Sequence, residues 1–173
     1  MRVLKNSTVA NMMAAVIAIG ATLALPGAAM AQQASDATVA AGLQVWRTGG
    51  CGLCHGTFGN GEKTQDEMPT GANLRTTKID GPTMAETIKC GRPGVGMPYF
   101  DPNAYTKDAC YGLPLGPVPE GSRPPNANLT AEQIQQVVAY VQTKLQGHPT
   151  ISKADCAYYY GLDPADPACA SFK

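Results

Sequence analysis

Histidine, tryptophan and charge are all scarce in this chain. It carries two His and one Trp in 173 residues, and charged side chains make up only 15%. Thirteen basic residues balance thirteen acidic ones, so no cationic excess is available to grip a phosphate backbone, and nucleic acid is not an expected partner. After residue 31 no apolar run approaches the ~20 residues that a bilayer-spanning helix needs, and no later membrane anchor is expected. A second Cys-x-x-Cys is missing, and His148 is the sole companion of His55. A four-ligand structural zinc site is therefore poorly supplied. Alternating strand and helix patterns are also missing around Cys51 and Cys54, which argues against a thioredoxin-like dithiol. There is no internal repeat.

What is present begins with an export signal. Arg2 and Lys5 form a short basic region, Met12 to Leu25 is an apolar run broken only by Gly20 and Thr22, and Ala29-Met30-Ala31 is a small-x-small cleavage site. Residues 1–31 are thus expected to be a cleavable signal peptide that delivers the chain to the periplasm. Its apolar run is short for a permanent anchor, so no stable membrane insertion is expected after cleavage. Loss of Arg2 and Lys5 leaves 11 basic side chains against 13 acidic, a slightly anionic protein.

The most informative stretch is Cys51-Gly52-Leu53-Cys54-His55. Two thiols two residues apart, followed at once by histidine, are the pattern for covalent attachment of a c-type haem. The thiols form thioethers with the porphyrin, and the histidine that follows reaches the iron, so one motif supplies both tether and proximal ligand. Export and haem attachment agree, since these thioethers are assembled outside the cytoplasmic membrane. With 19 Gly and 14 Pro the chain reads as loop-rich, and a buried porphyrin would supply much of its apolar core.

Four further cysteines remain: Cys90, Cys110, Cys156 and Cys169. An even remainder in an oxidising compartment reads as two disulfides. Three connectivities are possible. Closeness in sequence, with a helix separating the two pairs, favours Cys90–Cys110 and Cys156–Cys169.

Periodicity predicts three helices. Residues 36–49 are capped by Ser35 or Asp36 and repeat apolar residues at Val39, Gly42, Leu43 and Trp46, up to the stop at Gly49-Gly50. A two-turn helix starts near Pro82, with Thr83 and Glu86 at capping-box spacing, and ends at Gly91. The last helix has Thr130 as N-cap and Gln133 three residues on. Its stripe of Ile134, Val137, Val138, Val141 and Leu145 runs to Gly147-His148-Pro149. Arg92 to Asn128 is dominated by Pro, Gly, Asn and Tyr, without period.

With these elements the chain resembles the class I c-type cytochromes over about residues 37–146. The resemblance implies an all-α cytochrome c fold, in which N- and C-terminal helices cross and short helices and long loops surround one covalently bound haem. Gly42, Trp46 and Tyr140 stand where that family packs its crossing helices. It implies a monohaem domain over 32–149 with a distal loop insertion at about 98–128, and a disulfide-closed extension over 150–173. The family's distal ligand is a methionine, usually followed by proline, in a loop before the last helix. Gly96-Met97-Pro98 matches, and a neutral thioether there favours ferrous iron. Met68, Met84 and His148 are weaker competitors. The proximal histidine in the family donates to a carbonyl within Gly-Pro-Asn-Leu. Here the run is Gly71-Ala72-Asn73-Leu74, so Ala72 is the candidate, without proline's rigidity, and an ordinary turn is the alternative. Arg75, Arg92 and Tyr99 are candidates to meet the haem propionates.

The expected function is single-electron transfer between larger redox proteins, a donor and an acceptor met transiently, without substrate chemistry of its own. A dedicated cytochrome subunit or electron acceptor of one periplasmic dehydrogenase, such as a quinoprotein, is the nearest alternative. A haem-based ligand sensor is the third, and it requires an open sixth site.

Overall fold

The computed structural model describes residues 34–173; the expected signal peptide lies outside the described residues. Helix α1, Asp36–Thr48, begins where Ser35 Oγ accepts the Thr38 N–H at 3.2 Å, one of the donors a helix start leaves unpaired. It buries Val39, Leu43, Val45 and Trp46. A single turn, α2 (Cys51–His55), follows directly. Helix α3, Gly81–Cys90, is capped by Asp80, whose carboxylate accepts the Thr83 N–H at 2.8 Å. The capping box expected between Thr83 and Glu86 does not form. Asp80 takes that donor, and Glu86 instead holds Lys89 at 2.8 Å and the Tyr111 N–H at 2.7 Å.

Helix α4, Ala131–Tyr140, carries the expected reciprocal box between Thr130 and Gln133 and runs into a π-helical turn, Val141–Leu145. That turn directs Leu145 towards Gly59, where an added Cβ would meet Leu145 Cδ1 at 2.6 Å. A helix the sequence reading did not anticipate, α5 (Lys153–Tyr160), lies in the extension, with its own capping box between Ser152 and Asp155. A short 3₁₀ turn, Pro167–Cys169, closes it. The described residues are helical with no β-strand, only the isolated bridges Arg92–Met97 and Ala104–Asp108. No described helix is long and apolar enough to cross a membrane.

The core forms where α1 crosses α4. A Cβ on Gly42 would lie 2.0 Å from the Gln136 carbonyl oxygen and 2.8 Å from Tyr140 Cβ, so the backbones touch there and only glycine fits. Trp46 and Tyr140 pack beside that contact with ring centroids 5.8 Å apart, at 2% exposure each. Two smaller buried clusters gather around the disulfides Cys90–Cys110 and Cys156–Cys169, the pairing expected from the sequence. Closing a loop of ~20 residues with Cys90–Cys110 removes unfolded-chain entropy worth about 3 kcal/mol. The extension folds back so that Phe58 is ringed by Tyr159, Tyr160 and Phe172 at centroid distances of 5.4, 6.2 and 5.2 Å.

Gly42→Ala should therefore force α1 and α4 apart and lower stability by about 2 kcal/mol, as over-packing of a tight contact does. A guanidinium titration checks this; a midpoint unchanged from the parent contradicts the tight crossing.

Candidate functional site

The site starts from the short turn α2. Its helical geometry puts Cys51 and Cys54 three residues apart on one face, with His55 directly after. Both are the free cysteines of the described chain. They line one cavity of about 290 Å³ together with His55 and Met97. The floor is the α1–α4 core, through Trp46, Val137 and Val141, and α3 adds Met84 and Ile88. The cavity is thus overwhelmingly apolar. Its guanidinium groups are Arg92 and Arg123, and neither takes part in a salt bridge among the described residues.

His55 is held in one orientation. Its Nδ1 lies 2.8 Å from the Ala72 carbonyl oxygen, and since a carbonyl only accepts, Nδ1 carries the proton and Nε2 is the free nitrogen. Burial lowers the imidazole pKa, with the Ala72 bond pulling the other way, which favours the neutral ring whose Nε2 keeps its lone pair. The ring lies flat enough on Gly71 that a Cβ there would come within 2.6 Å of Nδ1. The loop is tied back by Gly71 N–H donating to the Cys54 carbonyl at 2.8 Å and Gly61 N–H to the His55 carbonyl at 2.7 Å. The Ala72 carbonyl thus fixes the ring from within Gly71–Leu74, a run that contains no proline.

The thiols show the opposite of dithiol-redox tuning. Burial pushes Cys51 up to about 12, with a backbone hydrogen bond opposing and Cys54 adding to it. Burial also raises Cys54, while the Arg123 guanidinium pulls it down. Nucleophilic Cys-x-x-Cys pairs depend on a lowered thiol pKa.

Two of the three methionines around the cavity differ in what their sulfur meets. Met68 Sδ takes the Arg123 guanidinium at 3.4 Å. No hydrogen bond reaches Met97 Sδ among the described residues, and its backbone is fixed by the Arg92 N–H donating to the Met97 carbonyl at 3.0 Å. The third, Met84, is buried at 4% exposure as the apolar face of α3.

No family model, curated protein or solved structure matches the chain. The site must be read from its own geometry.

The expected propionate partners separate. Arg92 lines the cavity. Tyr99 packs on the Cys90–Cys110 cluster instead. Arg75 points away entirely: it is fully buried, and its guanidinium serves the carbonyls of His148, Phe58 and Thr150 and the Asp155 carboxylate, the last at 2.9 Å. A buried cation needs such acceptors, and the chain itself supplies them, two of the four from the extension, Thr150 and Asp155. His148 is exposed and outside the cavity wall, offering only its carbonyl to Arg75. Arg123 and Asn126 line the cavity without having been anticipated. Both sit in an aperiodic Pro-rich stretch, where composition marks a loop but says nothing of where it returns.

Removing the Asp155 carboxylate leaves the Arg75 guanidinium buried beside carbonyls alone. Asp155→Ala should cost about 3 kcal/mol, and the proximal loop that follows Ala72 should exchange its amides faster. Chemical denaturation with amide exchange checks both, and a cost below about 0.5 kcal/mol, the size of an exposed pair, contradicts the buried bridge.

Proposed function

We propose that the chain is a periplasmic single-electron carrier with one haem c bound through Cys51 and Cys54, ligated by His55 and Met97, in a class I cytochrome c fold. The observation that carries this reading is convergence: two free thiols, an oriented imidazole and an unengaged thioether, separated by up to 46 positions, line one apolar cavity. The donor set suits a covalently tethered porphyrin and suits zinc poorly, since only one imidazole accompanies the two thiols in the cavity. An apolar cavity with two guanidinium groups at its wall also matches an apolar macrocycle that bears carboxylates. Disulfides at 5.7 Å Cα separation fit an oxidising compartment.

Bound there, a haem supplies reversible one-electron exchange. The chain's own residues set its conditions. His55 is presented by the Ala72 carbonyl in a single tautomer, which also raises its donor strength. Met97 offers a soft neutral sulfur that favours the reduced state. Trp46, Val137, Val141 and Leu74 keep water from the inner wall. Arg92 and Arg123 offset negative charge.

Tyr111, Leu113 and Leu115, at 46, 50 and 56% exposure on the insertion, favour a second reading in which the carrier serves one dehydrogenase through that apolar surface. Ligand sensing needs an open sixth position, and Met97 lining the same cavity as His55 weighs against it.

The oxidised protein is expected to show the weak near-infrared charge-transfer band of methionine sulfur on ferric iron, and Met97→Ala to abolish it. An absent band together with rapid carbon monoxide binding by the reduced parent protein contradicts the electron-carrier assignment.

A further inference from the structure

Met97 closes a six-residue hairpin that leaves the end of α3 at Gly91 and is bridged from Arg92 to Met97. The segment after it, residues 101–128, exceeds what is needed to reach α4, and beside its many internal hydrogen bonds it sends several to that hairpin and its flanks. Tyr105 Oη donates to the Cys90 carbonyl at 3.0 Å and Tyr111 Oη donates to the Gly91 carbonyl. Between these two tyrosines stands Cys110, bonded to Cys90. At the hairpin tip the Gly94 N–H donates to the Gly121 carbonyl at 3.0 Å, and just past Met97 the Tyr99 N–H donates to the Arg123 carbonyl at 3.3 Å.

The backbone marks the same two tyrosines. Tyr105 and Tyr111 have φ of +67° and +55°, and they are the non-glycine residues with left-handed φ among the described residues. Bulky side chains avoid that region, and a conformation held against its preference persists where surrounding contacts over-determine it. Here those contacts are visible. Tyr105 is 3% exposed in the disulfide cluster; the Tyr111 N–H is held by Glu86 at 2.7 Å, and Lys89 Nζ reaches the Ala109 carbonyl at 2.8 Å. Gly91 has no room to give: a Cβ there would lie 2.5 Å from the Tyr99 nitrogen.

We infer that the insertion is a clamp on the Met97 hairpin, in which the hydroxyls of Tyr105 and Tyr111 are positioning groups that fix the register of Met97 against the cavity. The inference rests on the reading of Met97 as the distal ligand. A disulfide alone sets only how far apart residues 90 and 110 can move. The two hydroxyls fix the carbonyls from which the hairpin departs, and Gly121 and Arg123 fix its far side. The sulfur is therefore presented by a frame gripped on both flanks, and its loss from the iron requires the frame to open.

The test compares the exported full-length protein with Tyr105→Phe, Tyr111→Phe and the double variant, each keeping the ring and removing only an O–H. Each substitution should speed exchange of the Arg92 and Tyr99 amides about fivefold, the effect of one lost hydrogen bond. The double variant should lose the methionine-to-iron band at lower temperature while retaining both disulfides and its helical circular dichroism. Glu86→Gln, which loosens the Tyr111 N–H without touching either carbonyl, should shift the same two readouts in the same direction and provides the test should the double variant fail to fold. Tyr160→Phe, in the extension, should shift neither. A Met97-dependent band and amide protection that survive unchanged in these clamp variants overturn the clamp alone. A parent protein without a Met97-dependent band overturns the ligand reading and the inference with it.

Discussion

The approach of α1 to α4 at Gly42 is the contact on which the rest of the molecule depends. With an added Cβ only 2.0 Å from the Gln136 carbonyl, the two backbones meet without room for a side chain, and this brings Trp46, Val137 and Val141 into one apolar wall. Because only Gly49 and Gly50 separate α1 from α2, the same contact determines where Cys51, Cys54 and His55 stand. Loops then have to close the remaining sides of the cavity. A chain rich in Gly and Pro has little regular structure for that purpose, and it uses specific fasteners instead.

Those fasteners fall on two sides. Next to His55, the loop carrying Ala72 is anchored three residues later by Arg75, whose guanidinium binds three carbonyls and the Asp155 carboxylate. The extension thereby becomes part of the support for the imidazole, and the Phe58 ring set adds packing to it. Next to Met97, the insertion joins α3 and the hairpin through Cys90–Cys110 and through backbone and hydroxyl hydrogen bonds. The two disulfides lie one on each side, so each loop system has its own covalent limit on unfolding.

Much of this was legible in the sequence wherever the signal is local. The stripe from Ile134 to Leu145, the Thr130–Gln133 box and the spacing within Cys51–His55 depend on residues within a few positions of one another. The helix α5 was missed because it buries only Cys156 and Ala157, too narrow a face for a periodic pattern; Ser152 and Asp155, three apart, were the available clue. Arg75 was misjudged because its partners lie up to 80 positions away, and a buried arginine cannot be distinguished in sequence from an exposed one. Asp80 displaced the expected cap of α3 because an aspartate one position before Gly81-Pro82 outcompetes a threonine inside the first turn. Arg123 had no local signal at all.

Covalent attachment of one haem to Cys51 and Cys54 is what we propose, and the intact mass of the protein tests it most directly. The expected result is a chain heavier by one haem, resistant to acid extraction, reduced to the bare polypeptide mass in the double variant Cys51→Ser, Cys54→Ser. A parent protein at the bare polypeptide mass, when prepared from cells that attach haem to exported c-type cytochromes, contradicts it.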